Sequence, residues 1–309
     1  MSFDTDAWLE RRKLARRVNF WRFIAVLAVV AGAIGLLYWI DPGQVIQRRQ
    51  DHVAHLEIGG IIAENDWWME KLREIAEDDR SKALILYVNS PGGSTFGGEA
   101  LFVATRKVAE RKPVVAVIGT LGASAGYMTA IAADRVYARE TSLTGSIGVL
   151  FQTAEFSKLM EKLGIGAESI ASGPLKDQPS PIKPLSPEGR AQIQRMVMET
   201  YDWFVNLVAS RRNLPREQVL ALADGRVFSG RAALEHGLID ALGGVEEARE
   251  WLAQNHGIST QLPLREVPPE RPRDGWEGLA GRAFSALFGK SLFPERLRLD
   301  GLISLWHPE

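Results

Sequence analysis

V-V-A-V-I-G-T-L-G-A-S-A-G-Y-M-T-A-I-A-A, residues 114–133, is the stretch on which the reading of this chain turns. Its first five residues are small or β-branched and wholly apolar, as in a strand buried on both faces. The strand is expected to end at Gly119, and the glycines at 122 and 126 then allow a tight turn. Small residues from Tyr127 to Ala133 suit a helix packed close against a sheet. Ser124 opens that helix, where backbone N–H groups lack intrahelical partners and favour negative charge. A serine so placed is well sited as a nucleophile. The same small residues also serve plain helix–sheet packing, so the pentapeptide alone leaves both readings open.

Working outward, residues 53–60 and 83–88 read as further strands, and 65–77 as a helix with Trp68, Leu72 and Ile75 on one side. The second strand runs into N-S-P-G-G-S at 89–94, followed by a helical stretch to Arg111, and 135–138 is another short strand. Strands alternating with helices predict an α/β fold of βαβ units, with a mainly parallel sheet covered on both faces. Ligands in such sheets gather at the carboxyl ends of strands. The S-P-G-G and G-A-S-A-G turns both fall there, and T-G-S-I-G-V at 144–149 is a third glycine-punctuated segment.

Residues 155–163 are amphipathic and 167–171 extended, and 173–187 hold five prolines with Lys176 and Lys183, which predicts a stiff loop. Ser186-Pro187-Glu188 starts a long helix: a serine cap, a first-turn proline and an acid favoured by the dipole. Ile193, Val197, Tyr201, Phe204 and Val208 give that helix one stripe, read as core. Three shorter helices are expected at 218–223, 230–236 and 245–255, the middle one capped by Ser229.

The N-terminal part has another character. Residues 1–22 are polar and basic, and 23–40 are eighteen residues without a charge. As a helix these would span roughly 27 Å, close to a bilayer's hydrocarbon core. Trp21, Tyr38 and Trp39 sit at its ends, and the basic flank places the N-terminus in the cytoplasm. Ala31-Gly32-Ala33 offers small residues for signal-peptide cleavage, but the apolar run continues past it. A single-pass anchor in the lipid bilayer is therefore expected at 23–40, then a tether at 41–52 and a catalytic domain at 53–262. Residues 263–309 read as a proline-rich linker and an apolar tail.

Composition excludes several classes of function. The net charge of −1 gives no hint of a nucleic-acid surface. With no cysteine there are no disulfides, thiolate metal sites or cysteine nucleophiles. His52, His55, His236, His256 and His307 show no metal-ligand spacing, so neither a metal nor another cofactor is expected.

A serine nucleophile needs a base and oxyanion donors. Ser124, Asp224 and His236 follow the chain order of an α/β-hydrolase triad, with Asp240 as another acid, although His236 beside Gly237 reads as a helix-end residue. Lys176 and Lys183 are the other candidate bases. A solvated lysine is protonated at neutral pH, so either would need burial to serve.

Four segments bear on that choice: S-P-G-G-S at 90–94, L-G-A-S-A-G-Y at 121–127, T-G-S-I-G-V at 144–149 and S-G-P-L-K-D at 172–177. In kind, order and spacing they resemble the bacterial signal peptide peptidase A family, over residues 53–253. The resemblance implies a Clp/crotonase-like fold and a Ser–Lys serine peptidase anchored in the bacterial inner membrane, its catalytic domain outside the cytoplasm. It further implies peptide substrates, remnant signal peptides above all, and a dome-shaped homo-oligomer with grooves running across subunits. On this resemblance Ser124 matches the nucleophile, Lys176 the general base, and Ser146 a serine that orients the lysine. A backbone N–H of Gly92 or Gly93 would form the oxyanion hole, and Lys183 has no counterpart. The chain is the length of the single-domain form, and nothing in the four motifs covers the tail. A crotonase-type acyl-CoA enzyme is a rival, though no Glu or Asp lies between Ala123 and Ala133 to serve its chemistry.

Overall fold

The computed structural model describes residues 17, 19–30, 32, 50–268 and 302–305. It divides into two units, Met1–Gln50 and Asp51–Glu309. In the first, residues 19–30 are helical, and Phe20, Trp21, Phe23, Val26, Leu27 and Val29 are exposed. Residues 33–40 of the expected anchor lie outside the described residues, as do residues 1–16, 41–49 and 269–301. Among the described residues no helix is long and apolar enough to cross a membrane.

The second unit opens with β1 (His52–Ile62), α1 (Asp66–Glu77), β2 (Ser81–Ser94), α2 (Thr95–Ala109), β3 (Val114–Ala123), α3 (Ala125–Ala130) and β4 (Arg135–Ala138). β1 through β4 pair side by side in parallel, as the alternation of strands and helices predicts. Each apolar run serves two faces. Leu84, Leu86 and Val88 join a cluster beneath the helices, whereas Ala83 and Ile85 join a second cluster on the other face. That second face is covered by Ala248 and Leu252 of α8 (Val245–His256), once β8 (Ala241–Leu242) has paired with β4.

Two strands outrun their expected ends. β2 continues through the S-P-G-G segment because β1 keeps pairing with it, up to Ile62 opposite Gly93. β3 forks: residues 115–118 lie beside β4, and Leu121, Gly122 and Ala123 pair with β5 (Leu143–Gly145). β5 is backed by antiparallel β7 (Val227–Ser229). The two glycine segments are therefore extended strand ends held by neighbours, not free turns.

Helix starts follow the local sequence. Asn65, Ser94, Ser186 and Ser229 each accept hydrogen bonds from first-turn N–H groups of α1, α2, α5 (Pro187–Arg212) and α7 (Gly230–Glu235). Between them lie β6 (Leu150–Phe151), α4 (Ser157–Lys162) and α6 (Arg216–Leu222). From Phe151 to Pro179 no residue is buried. α5 is core only in its second half, where Phe204, Val205 and Val208 are buried. Ile193 and Val197, expected in the core, are only partly covered, and Met196 and Met198 are exposed. The α4 segment and the first half of α5 thus form an arm that the other described residues leave largely bare.

β9 (Leu264–Glu266) adds to the outer edge of β1, in parallel, within the stretch read as linker. β10 (Leu302–Leu305) runs antiparallel to the end of β2 and to β6.

Candidate active site

Ser124 sits between β3 and α3 with φ 58° and ψ −117°. Few residues other than glycine adopt positive φ, and holding one there costs ~1–3 kcal/mol. The surroundings impose it. The Ser124 N–H donates to the Gly145 carbonyl at 2.8 Å, and its own carbonyl accepts from the Met128 N–H at 2.8 Å. The Thr144 hydroxyl donates to the Gly122 carbonyl at 2.7 Å. A Cβ on Gly126 would come within 2.9 Å of the Ser90 carbonyl oxygen, and one on Gly98 within 2.9 Å of the Ala125 Cβ. Small residues therefore let the elbow press onto β2 and α2. The residue is 1% exposed.

The second glycine segment lies on the same rim. Gly92 has φ 109°, which side-chain-bearing residues rarely adopt. A Cβ on Gly93 would fall 1.7 Å from the Ile62 carbonyl oxygen. Ser90, fully buried, donates to the Gly60 carbonyl at 2.6 Å and accepts from the Gly92 N–H at 3.0 Å. Alongside runs β10, with Leu305 opposite Gly92, Ser304 opposite Gly93 and Ile303 opposite Ser94.

Ser146 follows directly from the β3–β5 register. Ala123 pairs with Gly145, so Ser124 and Ser146 are each the next residue along parallel neighbours. Ser146 is also at positive φ, 49°, and 6% exposed. Its N–H donates to the Arg226 carbonyl at 2.8 Å. Asp224 holds that carbonyl's residue in place, accepting from both the backbone N–H and the guanidinium of Arg226. These bonds pull the Asp224 carboxyl down to about 2.

Lys176 lies on the bare arm, its side chain exposed and its N–H donating to the Gly173 carbonyl at 3.2 Å. One chain therefore gathers Ser124, Ser146, Gly92 and Gly93, and leaves Lys176 in solvent. Lys183 is engaged elsewhere, in an ion pair with Asp177. That contact, with a hydrogen bond from Ser169, holds the Asp177 carboxyl below its ordinary range.

The histidine triad does not assemble. His236 is exposed at the end of α7, its ring edge-on to Phe228 at 5.3 Å between centroids. Asp224 is taken by Arg226. Asp240 binds Arg212 at 2.8 and 3.0 Å and accepts from the Val136 N–H at 2.7 Å. Neither acid orients the imidazole. Among the described residues no group of three or more acids and histidines could hold a metal.

Sequence reasoning missed Ser90 and Thr144. The signal was present in S-P-G-G and T-G-S, where hydroxyl residues flank glycines that cannot hold their own conformation.

The chain is similar to known proteins. The profile of Peptidase family S49 matches residues 106–259, and that of Clp protease residues 53–152. A Synechocystis sp. protein provisionally named as a protease is 36% identical over 207 residues, covering 67% of this chain and 75% of that one. An Enterococcus faecium protein provisionally named signal peptide peptidase SppA is 35% identical, covering 67% of this chain and 64% of its own length. The chloroplastic serine protease SPPA of Arabidopsis thaliana is 31% identical, covering 79% of this chain and 38% of its own. The match thus spans less than two thirds of the latter two relatives. With its buried serine on a strained elbow of a Clp-like α/β sheet, the chain belongs to Peptidase family S49 and is a serine peptidase.

Proposed function

We propose that the protein is a membrane-anchored endopeptidase that cleaves apolar peptides, remnant signal peptides among them, with Ser124 as nucleophile and Lys176 as general base. The observation that carries this reading is the Ser124 elbow: φ 58°, buried, and adjoining a rim of glycine backbone. Attack by Oγ on a scissile carbonyl creates an oxyanion, and backbone N–H groups at Gly92 or Gly93 are suited to receive it. Such a donor is worth about 3 kcal/mol in the barrier. In this reading Ser146, next along the strand paired with β3, orients the lysine's amine.

Lys176 must leave water to act as a base. The arm that carries it is bare in one chain, so its apolar residues, Leu159, Leu163, Ile165 and Ile170 among them, call for cover. A second copy supplies it in this reading, with the lysine buried in a homo-oligomer. Residues 23–40 anchor each copy in the bacterial inner membrane, with the basic N-terminus cytoplasmic and the catalytic unit outside. The name of the Enterococcus relative supports signal peptides as substrates.

The test is cleavage of an apolar signal-peptide-like substrate by wild type, Ser124→Ala and Lys176→Ala in detergent micelles. Both substitutions are expected to abolish turnover. Full activity in Lys176→Ala would remove the dyad. Thioester turnover indifferent to Ser124→Ala would favour the acyl-CoA reading.

A further inference from the structure

We propose that Ser90 is a positioning residue for catalysis: it fixes the Gly92–Gly93 peptide so that Gly93, not Gly92, presents the oxyanion N–H. This rests on Ser124 being the nucleophile. The Ser90 hydroxyl has a single proton, committed to the Gly60 carbonyl at 2.6 Å, which leaves its lone pairs for the Gly92 N–H at 3.0 Å. The Gly92 carbonyl lies 3.4 Å from the same oxygen, a longer contact than that to Gly60. The Gly92 N–H is thereby engaged within the protein and is not free for substrate. The next N–H along the same rim belongs to Gly93.

The placement of Ser90 links three parts of the site. Its Oγ reaches back to the end of β1 at Gly60, where φ is +69°. Its carbonyl oxygen lies against Gly126, two residues beyond the nucleophile, with only 2.9 Å for any added Cβ. Its Oγ also holds the Gly92 peptide, in a conformation of φ 109° that nothing in glycine itself prefers. Elbow and rim are thus referenced to one buried side chain. Without it, the Gly92 N–H loses its side-chain partner and the Gly93 N–H is aimed only by the flanking pairing with Ile62 and Ser304, while the substrate-binding surface keeps its shape.

The expected signature is a fall in kcat with little change in KM, because an oxyanion donor acts mainly in the transition state. Ser90→Ala should lower kcat roughly a hundredfold, the usual scale for a lost oxyanion donor. Affinity for a peptide aldehyde, which forms a tetrahedral adduct on serine, should fall in parallel. Ser90→Thr, which keeps the hydroxyl, should restore most of both. Ser90→Cys, close in size with a weak donor, covers the case in which the alanine variant fails to fold. All are measured on the full chain in micelles, with thermal unfolding alongside.

Two outcomes overturn the proposal. One is a folded Ser90→Ala or Ser90→Cys enzyme with wild-type kcat. The other is a loss confined to KM or to stability, with the ratio of aldehyde to substrate affinity unchanged. Failure of the underlying reading looks different: hydrolysis and aldehyde binding would then survive in Ser124→Ala, whatever the Ser90 variants do.

Discussion

A glycine can be required for the space it leaves or for the angle it adopts, and two glycines near the site separate these needs. Gly93 has room for no further atom, since its Cβ would lie 1.7 Å from a backbone oxygen of β1. Gly60 has a positive φ of 69° but open space around it. Gly60→Ala should therefore cost only the left-handed penalty, about 1–2 kcal/mol, and leave turnover near wild type. Gly93→Ala must push β1 and β2 apart on the rim beside Ser124. It should lower turnover by more than a hundredfold, the scale of a lost oxyanion donor. Thermal unfolding and a peptidase assay on the pair would distinguish the two. The same reasoning shows why Ser124 was half legible in the sequence. G-A-S-A-G announces a tight approach of backbones, but the strain at Ser124 is imposed by Gly145, Thr144 and Ser90, which lie far off along the chain.

At the scale of elements, the caps and apolar runs were readable because they are local. Asn65, Ser186 and Ser229 begin helices where their side chains indicate. The strands' overrun through S-P-G-G and through residues 119–123 was not readable, since it is set by partner strands. Nor was the bare half of α5, whose stripe is regular while no other described residue buries it. The connection from α6 to β7 carries a testable clip. Asp224, offered by the sequence as a triad acid, instead clamps Arg226, whose carbonyl holds the Ser146 N–H. Its folded pKa of about 2 lies below the ordinary carboxylate value. The clip therefore stabilises above the ordinary carboxylate range and is lost as pH falls towards 2. Asp224→Asn should unfold at a lower temperature than wild type at pH 7, and the two should converge near pH 2 in thermal scans. The Arg212–Asp240 pair joins the end of α5 to the bend just before β8, and its arginine side chain is 10% exposed. Asp240→Ala leaves that charge and the Val136 N–H unpaired, which should cost about 3–5 kcal/mol in denaturant unfolding.

At the scale of the whole molecule, the proposed nucleophile and the proposed base differ in how far one chain completes their surroundings. Ser124 is finished by its own sheet, whereas Lys176 rides on an arm with no buried residue between Phe151 and Pro179. If a neighbouring copy covers the arm, lysine and serine can come from different chains. Mixing inactive Ser124→Ala and Lys176→Ala chains under exchanging conditions should then regain part of the wild-type turnover. Mixtures that stay silent would place both groups in one chain. Amide hydrogen exchange in 152–176 should also slow as protein concentration rises, reporting the cover directly.

On the proposed reading, the strand at 302–305 gives the rim a resident competitor. It pairs with Gly92, Gly93 and Ser94, the backbone beside Ser124 that the proposed reading gives to an extended peptide substrate. Because it is tethered, diluting the enzyme does not dilute it, and its effective concentration is set by the length of chain that leads back to the rim. Short peptides would therefore meet an apparent KM raised by a constant factor, and long apolar ones would displace the strand more readily. Replacing Ile303 and Ser304 by proline removes two ladder N–H groups. The variant should lower KM for short peptides several-fold with kcat unchanged, converting a selective enzyme into a permissive one.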